Sequence, residues 1–148
     1  MASPNAEARH LAARIRWLIE SQQVRPQDIL ILARTKRRVY ELADVLTRET
    51  FTGTQGVHVA INEKDKLVAR SGMFSICTVA SAKGYDAHAV LIASAEQWTG
   101  KPTDRATFYV GCTRARDYLE ISACGPGELF TEMRDAIQWC RSQGEGGS

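Results

Sequence analysis

The chain has no apolar run near the roughly 20 residues that a membrane-crossing helix needs, and no signal-peptide pattern opens it. Its four cysteines, Cys77, Cys112, Cys124 and Cys140, contain no CxxC pair, and His10, His58 and His88 are equally scattered. A zinc site therefore has no ligand spacing to stand on, and no metal ligand is assigned. Free, mostly buried thiols in a reducing cytoplasm are the expectation. Charge of one sign is also scarce: the net charge is +2, too small to imply a nucleic-acid partner unless the charges are clustered. There is no internal repeat. There is no phosphate-binding P-loop either. Thr99-Gly100-Lys101-Pro102-Thr103 imitates the end of one, but Ala95 stands where its first glycine is needed, and Pro102 removes a backbone donor.

What remains is an ordinary globular composition, 44% hydrophobic and 24% charged over 148 residues, enough for one core. A single domain is expected over residues 1–142, with a flexible Gly/Ser tail over 143–148. Ala8, Leu11, Ala12, Ile15, Leu18 and Ile19 have the spacing of an amphipathic helix. Ile29 to Ala33 is a continuous apolar run of strand length, bounded by Pro26 and Asp28, as suits a parallel strand buried on both faces. Val39, Leu42, Ala43 and Leu46 return to helical spacing. "GVHVAI" reads as a short strand, "NEKDK" as a turn, and "MFSICTVA", "HAVLIASA" and "YLEISAC" as three further strands. A helix around "TDRATFYVGCTRA" and a closing one over "GELFTEMRDAIQWCRSQ" complete an alternating pattern. That alternation predicts an α/β domain with a mainly parallel sheet flanked by helices.

Ligands of such sheets bind beyond the carboxyl ends of the strands. Three stretches fall there: Arg34-Thr35-Lys36-Arg37-Arg38, Ser81-Ala82-Lys83-Gly84, and Glu96-Gln97. Cations in a first helical turn oppose the helix dipole, by about 0.3–1 kcal/mol each. Two readings of the Arg34 cluster stand, an anion-binding edge and a solvated helix start. Lys83-Gly84 fits either a turn or a place where a cation and a close backbone meet a phosphate. Arg114 points away from the helix face shared by Phe108, Cys112 and Ala115, toward water or a partner, whereas Arg116 falls nearer that apolar face.

In this order the segments resemble the second RecA-like domain of superfamily 1 DNA helicases, the UvrD/Rep group. "DILILARTKRRVYELADVL" resembles helicase motif IV, and "ICTVASAKGYDAHAVLIASAEQ" resembles motif V, close to T-[IV]-H-x-A-K-G-L-E. "RATFYVGCTRARDYLEIS" resembles motif VI, with Arg105, Tyr109, Val110, Thr113, Arg114 and Ala115 in register. The likeness covers about Asp28 to Ala123. It implies a RecA-like, P-loop-NTPase-type three-layer domain that lacks its own P-loop.

The resemblance also implies roles. Arg34 would reach the γ-phosphate of ATP, and Arg114 would be the arginine finger, the two catalytic residues. Asp86, Lys83, Gly84 and Gln97 would lie on the nucleotide side, and Thr78, Ser81 and Lys83 on the single-stranded DNA surface. Some positions depart from the family. Asp86 is one methylene shorter than the usual glutamate, and Ala33 replaces a tyrosine that stacks on adenine. Ala80 replaces a histidine that touches DNA, and only Thr50 to Gly72 stands where a long helical insertion is common. The Walker A lysine and Walker B acids belong to an N-terminal RecA-like domain that these residues do not include. The expectation is therefore a C-terminal piece of a longer helicase that joins that domain, ATP, Mg²⁺ and single-stranded or partly duplex DNA, with no membrane. Isolated, it would be inactive. Two rival readings are a catalytically inactive interaction module and a regulatory domain of a nuclease-linked protein.

Overall fold

The apolar run Ile29–Ala33 forms a strand, β1, at the centre of a five-stranded sheet. Successive side chains of a strand leave on opposite faces, so a strand covered on both sides favours apolar residues at every position. Ile29, Ile31 and Ala33 enter the core on one face, and Leu30 and Leu32 the core on the other. The computed structural model describes residues 4–49, 56–60, 71–82 and 84–125, with 127, 129, 131, 132, 134–136, 138 and 139.

Around β1 the chain runs α1 (Pro4–Glu20), β1, α2 (Lys36–Leu46), β2 (Gly56–Ala60), β3 (Met73–Thr78), β4 (Ala87–Ile92), α3 (Pro102–Cys112) and β5 (Ala115–Ile121). The strand order is β2-β3-β1-β4-β5, and every neighbouring pair is parallel. Helices α1 and α2 cover one face, burying Leu11, Ile15, Leu18, Val39, Leu42 and Leu46 against Ile31, Phe74, Ile76 and Leu91. Full burial of each such side chain contributes about 1.5–3 kcal/mol. Helix α3 covers the other face. Its Phe108 packs edge-on against Trp98, with ring centroids 5.5 Å apart, and both are fully buried. Gly111 lets α3 press onto the sheet: a Cβ there would stand 3.2 Å from Val79 Cγ2 and 3.4 Å from Leu32 Cδ1. The result is the helix–sheet–helix layering that the sequence predicts.

The expected elements appear with small changes of boundary. The described residues from 129 to 139 are helical, with Leu129 buried. The turn expected at "NEKDK" and the tail over 143–148 lie outside the described residues. One difference matters. Strand β5 begins at Ala115, because the Ala87 N–H donates to the Arg114 carbonyl and draws the chain into the sheet directly after α3. Arg116 is therefore exposed on an edge strand, not near an apolar helix face as its helical spacing had implied. Among the described residues no helix is long and apolar enough to cross a membrane.

Candidate functional site

Arg34 follows β1 directly, at the carboxyl end of the sheet, and its side chain is 37% exposed. Its Nε donates to Asp104 Oδ2 at 3.1 Å, a partner 70 residues away in the first turn of α3. The same oxygen accepts the Thr99 N–H at 2.9 Å and the Thr99 hydroxyl at 2.8 Å. Burial alone would raise the Asp104 carboxyl, but the Thr99 hydrogen bonds and the Arg34 charge outweigh it and hold Asp104 below its ordinary value. The turn that only imitates a P-loop thus serves to fix this carboxylate.

Arg114 sits beyond the other end of α3, where β4 and β5 begin. Its side chain folds back along the helix. Nε donates to the Val110 carbonyl at 3.3 Å, and Nη2 donates to Thr113 Oγ1 at 3.3 Å. Nη1 lies 3.7 Å from Asp86 Oδ1, a loose pair whose acid is 57% exposed. Ten residues of helical rise separate Asp104 from Arg114, about 15 Å. The two arginines expected to act together therefore lie at opposite edges of the all-parallel sheet, Arg34 at the carboxyl edge and Arg114 with Asp86 at the amino edge.

The remaining expected positions divide. Thr78 and Ser81 are 8% and 3% exposed, and their hydroxyls lie 3.3 Å apart, holding the turn after β3. Gly84 has φ +79° with open space where a Cβ would stand, a backbone that only glycine adopts without strain. Lys83 lies outside the described residues. Gln97 ends the short 3₁₀ turn Ala95–Gln97 after β4, and its Oε1 is buried without a hydrogen-bond partner among the described residues.

A buried polar knot escaped the sequence reading. Glu7 is fully buried, and its Oε2 accepts the Ser94 N–H at 2.8 Å and the Ser122 hydroxyl at 2.8 Å. Its Oε1 accepts the Ser94 hydroxyl and the Cys124 thiol. Arg38 Nη1 donates to Ser94 Oγ at 3.2 Å and approaches Cys124 Sγ at 3.8 Å. Ser94 has φ +56°, a conformation unfavourable for a residue with a Cβ, and these bonds hold it there. The basic cluster after β1 therefore splits. Arg38 turns inward to this knot, Arg37 pairs with Glu41 at 3.1 Å on the surface, and Arg34 takes Asp104. One signal for the knot was present in the sequence, since Glu7 shares the apolar stripe of α1 with Leu11, Ile15 and Leu18.

Cysteine chemistry is muted. Burial pushes the Cys77 thiol up to about 12 and Cys112 to about 11. Burial, and then the Glu7 charge, push Cys124 to about 12. Glu7, Glu96 and Cys124 bring three metal-capable atoms within 4.8 Å of one another. A protonated thiol beside the Arg38 guanidinium is unlike the octahedral oxygen shell that magnesium requires.

No protein-family model and no curated protein matches the chain. A solved structure does. It is the C-terminal domain of a possible DNA helicase from Lactobacillus plantarum WCFS1, with a TM-score of 0.63 and 21% sequence identity over 83% of this chain and 70% of that one. The five-stranded parallel sheet flanked by helices is the α/β fold of that helicase C-terminal domain.

Proposed function

We propose that this chain is the second RecA-like motor domain of an ATP-driven DNA helicase or translocase of the UvrD/Rep type. The observation that carries the reading is Arg114 beside Asp86, at the edge where β4 and β5 begin, with Arg34 at the opposite edge of the sheet. Both guanidiniums are partly exposed, they flank α3, and each is tied to a single carboxylate of its own domain. Phosphoryl transfer is catalysed mainly by positioning and by stabilising the charge on the transferring group. A permanently charged planar guanidinium suits that task better than lysine.

In this reading ATP lies between this domain and a P-loop-bearing partner domain of the same polypeptide. Arg34, at the carboxyl end of β1 beside Thr78, lies on the opposite edge of the sheet from Arg114 and serves the single-stranded DNA side. Arg114 leaves the Val110 carbonyl, extends, and stabilises the charge that develops on the γ-phosphate. Asp86 marks the ribose side, and the open left-handed turn at Gly84 gives a phosphate or a DNA backbone close access to the main chain. Thr78 and Ser81 act by holding that turn, while Lys83 supplies its charge to the single strand. Magnesium would supply neutralisation of the phosphates, and its ligands would come from the partner domain. The acids nearest the arginines here, Asp86 and Asp104, are each engaged by one of them. Alternate closing and opening then moves single-stranded DNA across the domain pair.

The test is Arg114→Ala in the full-length polypeptide. DNA-stimulated ATPase turnover should fall by about 10³-fold or more, as for other arginine fingers, with an unchanged thermal melt. Near-normal turnover refutes the assignment. The 148-residue chain alone should show no micromolar affinity for ATP with magnesium.

A further inference from the structure

Resting on that reading, we propose that Arg116 is a second phosphate-binding arginine of the nucleotide edge, presented beside Arg114 by a bulge in β5. The register shows the bulge. Ala87 pairs with Ala115 and Ala89 with Tyr118, so His88 of β4 faces two residues of β5, Arg116 and Asp117. A bulge bends its strand and re-aims a side chain. In a regular strand Arg116 would share one face with Tyr118 and Glu120. That face belongs to α1: Tyr118 lies against Trp17, with ring centroids 5.9 Å apart, and Glu120 takes Arg14 at 2.9 Å. Arg116 serves another neighbourhood. Its charge acts on Tyr85, which packs into the core on the α3 side and immediately precedes Asp86. Burial and then Asp28 push the Tyr85 phenol up, and Arg116 opposes them. Tyr85 is itself fixed, since its hydroxyl donates to the Gln27 carbonyl at 3.1 Å.

The charges at this amino edge leave Arg116 uncompensated. Asp28, Asp86 and Asp117 are taken by Arg25, Arg114 and His88, at 3.0, 3.7 and 2.9 Å. The Arg116 guanidinium is exposed and has no hydrogen bond or ion pair among the described residues. Even its sequence neighbour Asp117 is turned to His88 instead. A planar guanidinium with its donors open suits a bidentate contact with phosphate. Two steps of extended chain separate Arg114 from Arg116, about 6–7 Å, within the joint reach of two long side chains on one phosphate chain. Their tasks differ. Arg114 is anchored to the Val110 carbonyl and the Thr113 hydroxyl and has to be released, so its contact forms as the domains close. Arg116 has no such bond to break and meets the phosphates when the nucleotide binds. A contact made equally in ground and transition states lowers KM and leaves kcat alone, whereas one made only in the transition state raises kcat.

The experiment is steady-state ATPase kinetics of Arg116→Gln, Arg116→Lys and Arg114→Ala in the full-length polypeptide, at saturating single-stranded DNA, with a thermal melt of each. Arg116→Gln should raise KM for ATP about 10-fold, the scale of one charge-assisted hydrogen bond, with kcat within about 3-fold of wild type. Arg116→Lys keeps the charge but loses the fork, so its KM should fall between the two. The DNA concentration for half-maximal stimulation should not move. The melt should not move either, because the side chain holds nothing in the domain. An unchanged KM in Arg116→Gln overturns the proposal and leaves the functional reading intact, as does a shift confined to the DNA half-saturation. A charge on an edge strand also discourages pairing with other chains. If that were its whole role, Arg116→Gln would aggregate while Arg116→Lys kept a wild-type KM, and this too overturns the proposal. Normal turnover in Arg114→Ala overturns both the functional reading and the role built on it.

Discussion

Replacing Glu7 with alanine should be among the most damaging single changes in this domain, although Glu7 lies outside the proposed chemistry. The carboxylate is fully buried and accepts from the Ser94 amide, the Ser94 hydroxyl and the Ser122 hydroxyl. Ser94 and Ser122 are themselves 0% and 5% exposed, so water does not readily replace the lost acceptor. A buried donor left without a partner costs about 1–3 kcal/mol. The three serine donors relax together, and the Cys124 thiol is a weak fourth, so the sum is smaller than separate losses, about 3–5 kcal/mol. For a chain of this size that lowers the melting temperature by roughly 6–20 °C. Glu7→Gln is the discriminating companion. Its carbonyl oxygen still serves the Ser94 amide and the Ser122 hydroxyl, and the Ser94 hydroxyl can turn to accept from the new amide. Its loss should stay near 1–2 kcal/mol, about that of one hydrogen bond. Urea denaturation followed by circular dichroism at pH 7 measures both changes. A loss below about 1 kcal/mol for Glu7→Ala, or equal losses for the two variants, would refute the claim that the carboxylate satisfies those buried donors.

The remaining expectations concern packing, pH and thiols. Gly111→Val should destabilise by about 1–3 kcal/mol through overpacking, since even a Cβ meets Val79 and Leu32 at 3.2 and 3.4 Å; an unchanged urea midpoint would contradict the close approach of α3. Asp104 has a lowered carboxyl in the folded state, so its stabilising effect is present above the ordinary carboxylate value of about 3.9 and is lost as pH falls through the lowered one. The stability difference between wild type and Asp104→Asn should therefore shrink between pH 5 and pH 3, and a constant difference refutes the linkage. Cys77, Cys112 and Cys124 have thiols raised to about 12, 11 and 12, so at pH 8 the folded chain should alkylate at these positions far more slowly than in urea. Site-resolved mass spectrometry reads this, and fast native labelling at any of the three would count against the burial described here.

Local regularities made much of the fold legible. The run Ile29–Ala33 had no polar residue because both faces of β1 are covered, and an unbroken apolar pentamer already states that condition. Apolar spacing in α1 and α2 marked the faces that are now buried. Arg34 and Arg114 were legible as candidates because "LARTKRR" and "YVGCTRA" are short, contiguous patterns. Arg116 was misplaced for a related reason: its helical spacing held only up to Cys112, and a hydrogen bond from Ala87 decided where the strand begins.

What the sequence determined by itself was periodicity, which follows from the geometry of one helix or one strand. What only the tertiary structure decided was which distant polar groups meet. Glu7 lies 87 residues from Ser94 and 115 from Ser122, and Arg34 lies 70 from Asp104. Strand order β2-β3-β1-β4-β5 creates those encounters by setting the carboxyl end of β1 beside that of β4 and next to the first turn of α3. Hydrogen bonds act over about 3 Å and carry no period along the chain, so they leave no regular trace in the order of residues. Whether an arginine is free, buried in a knot or held by one nitrogen depends on what the folded sheet brings beside it.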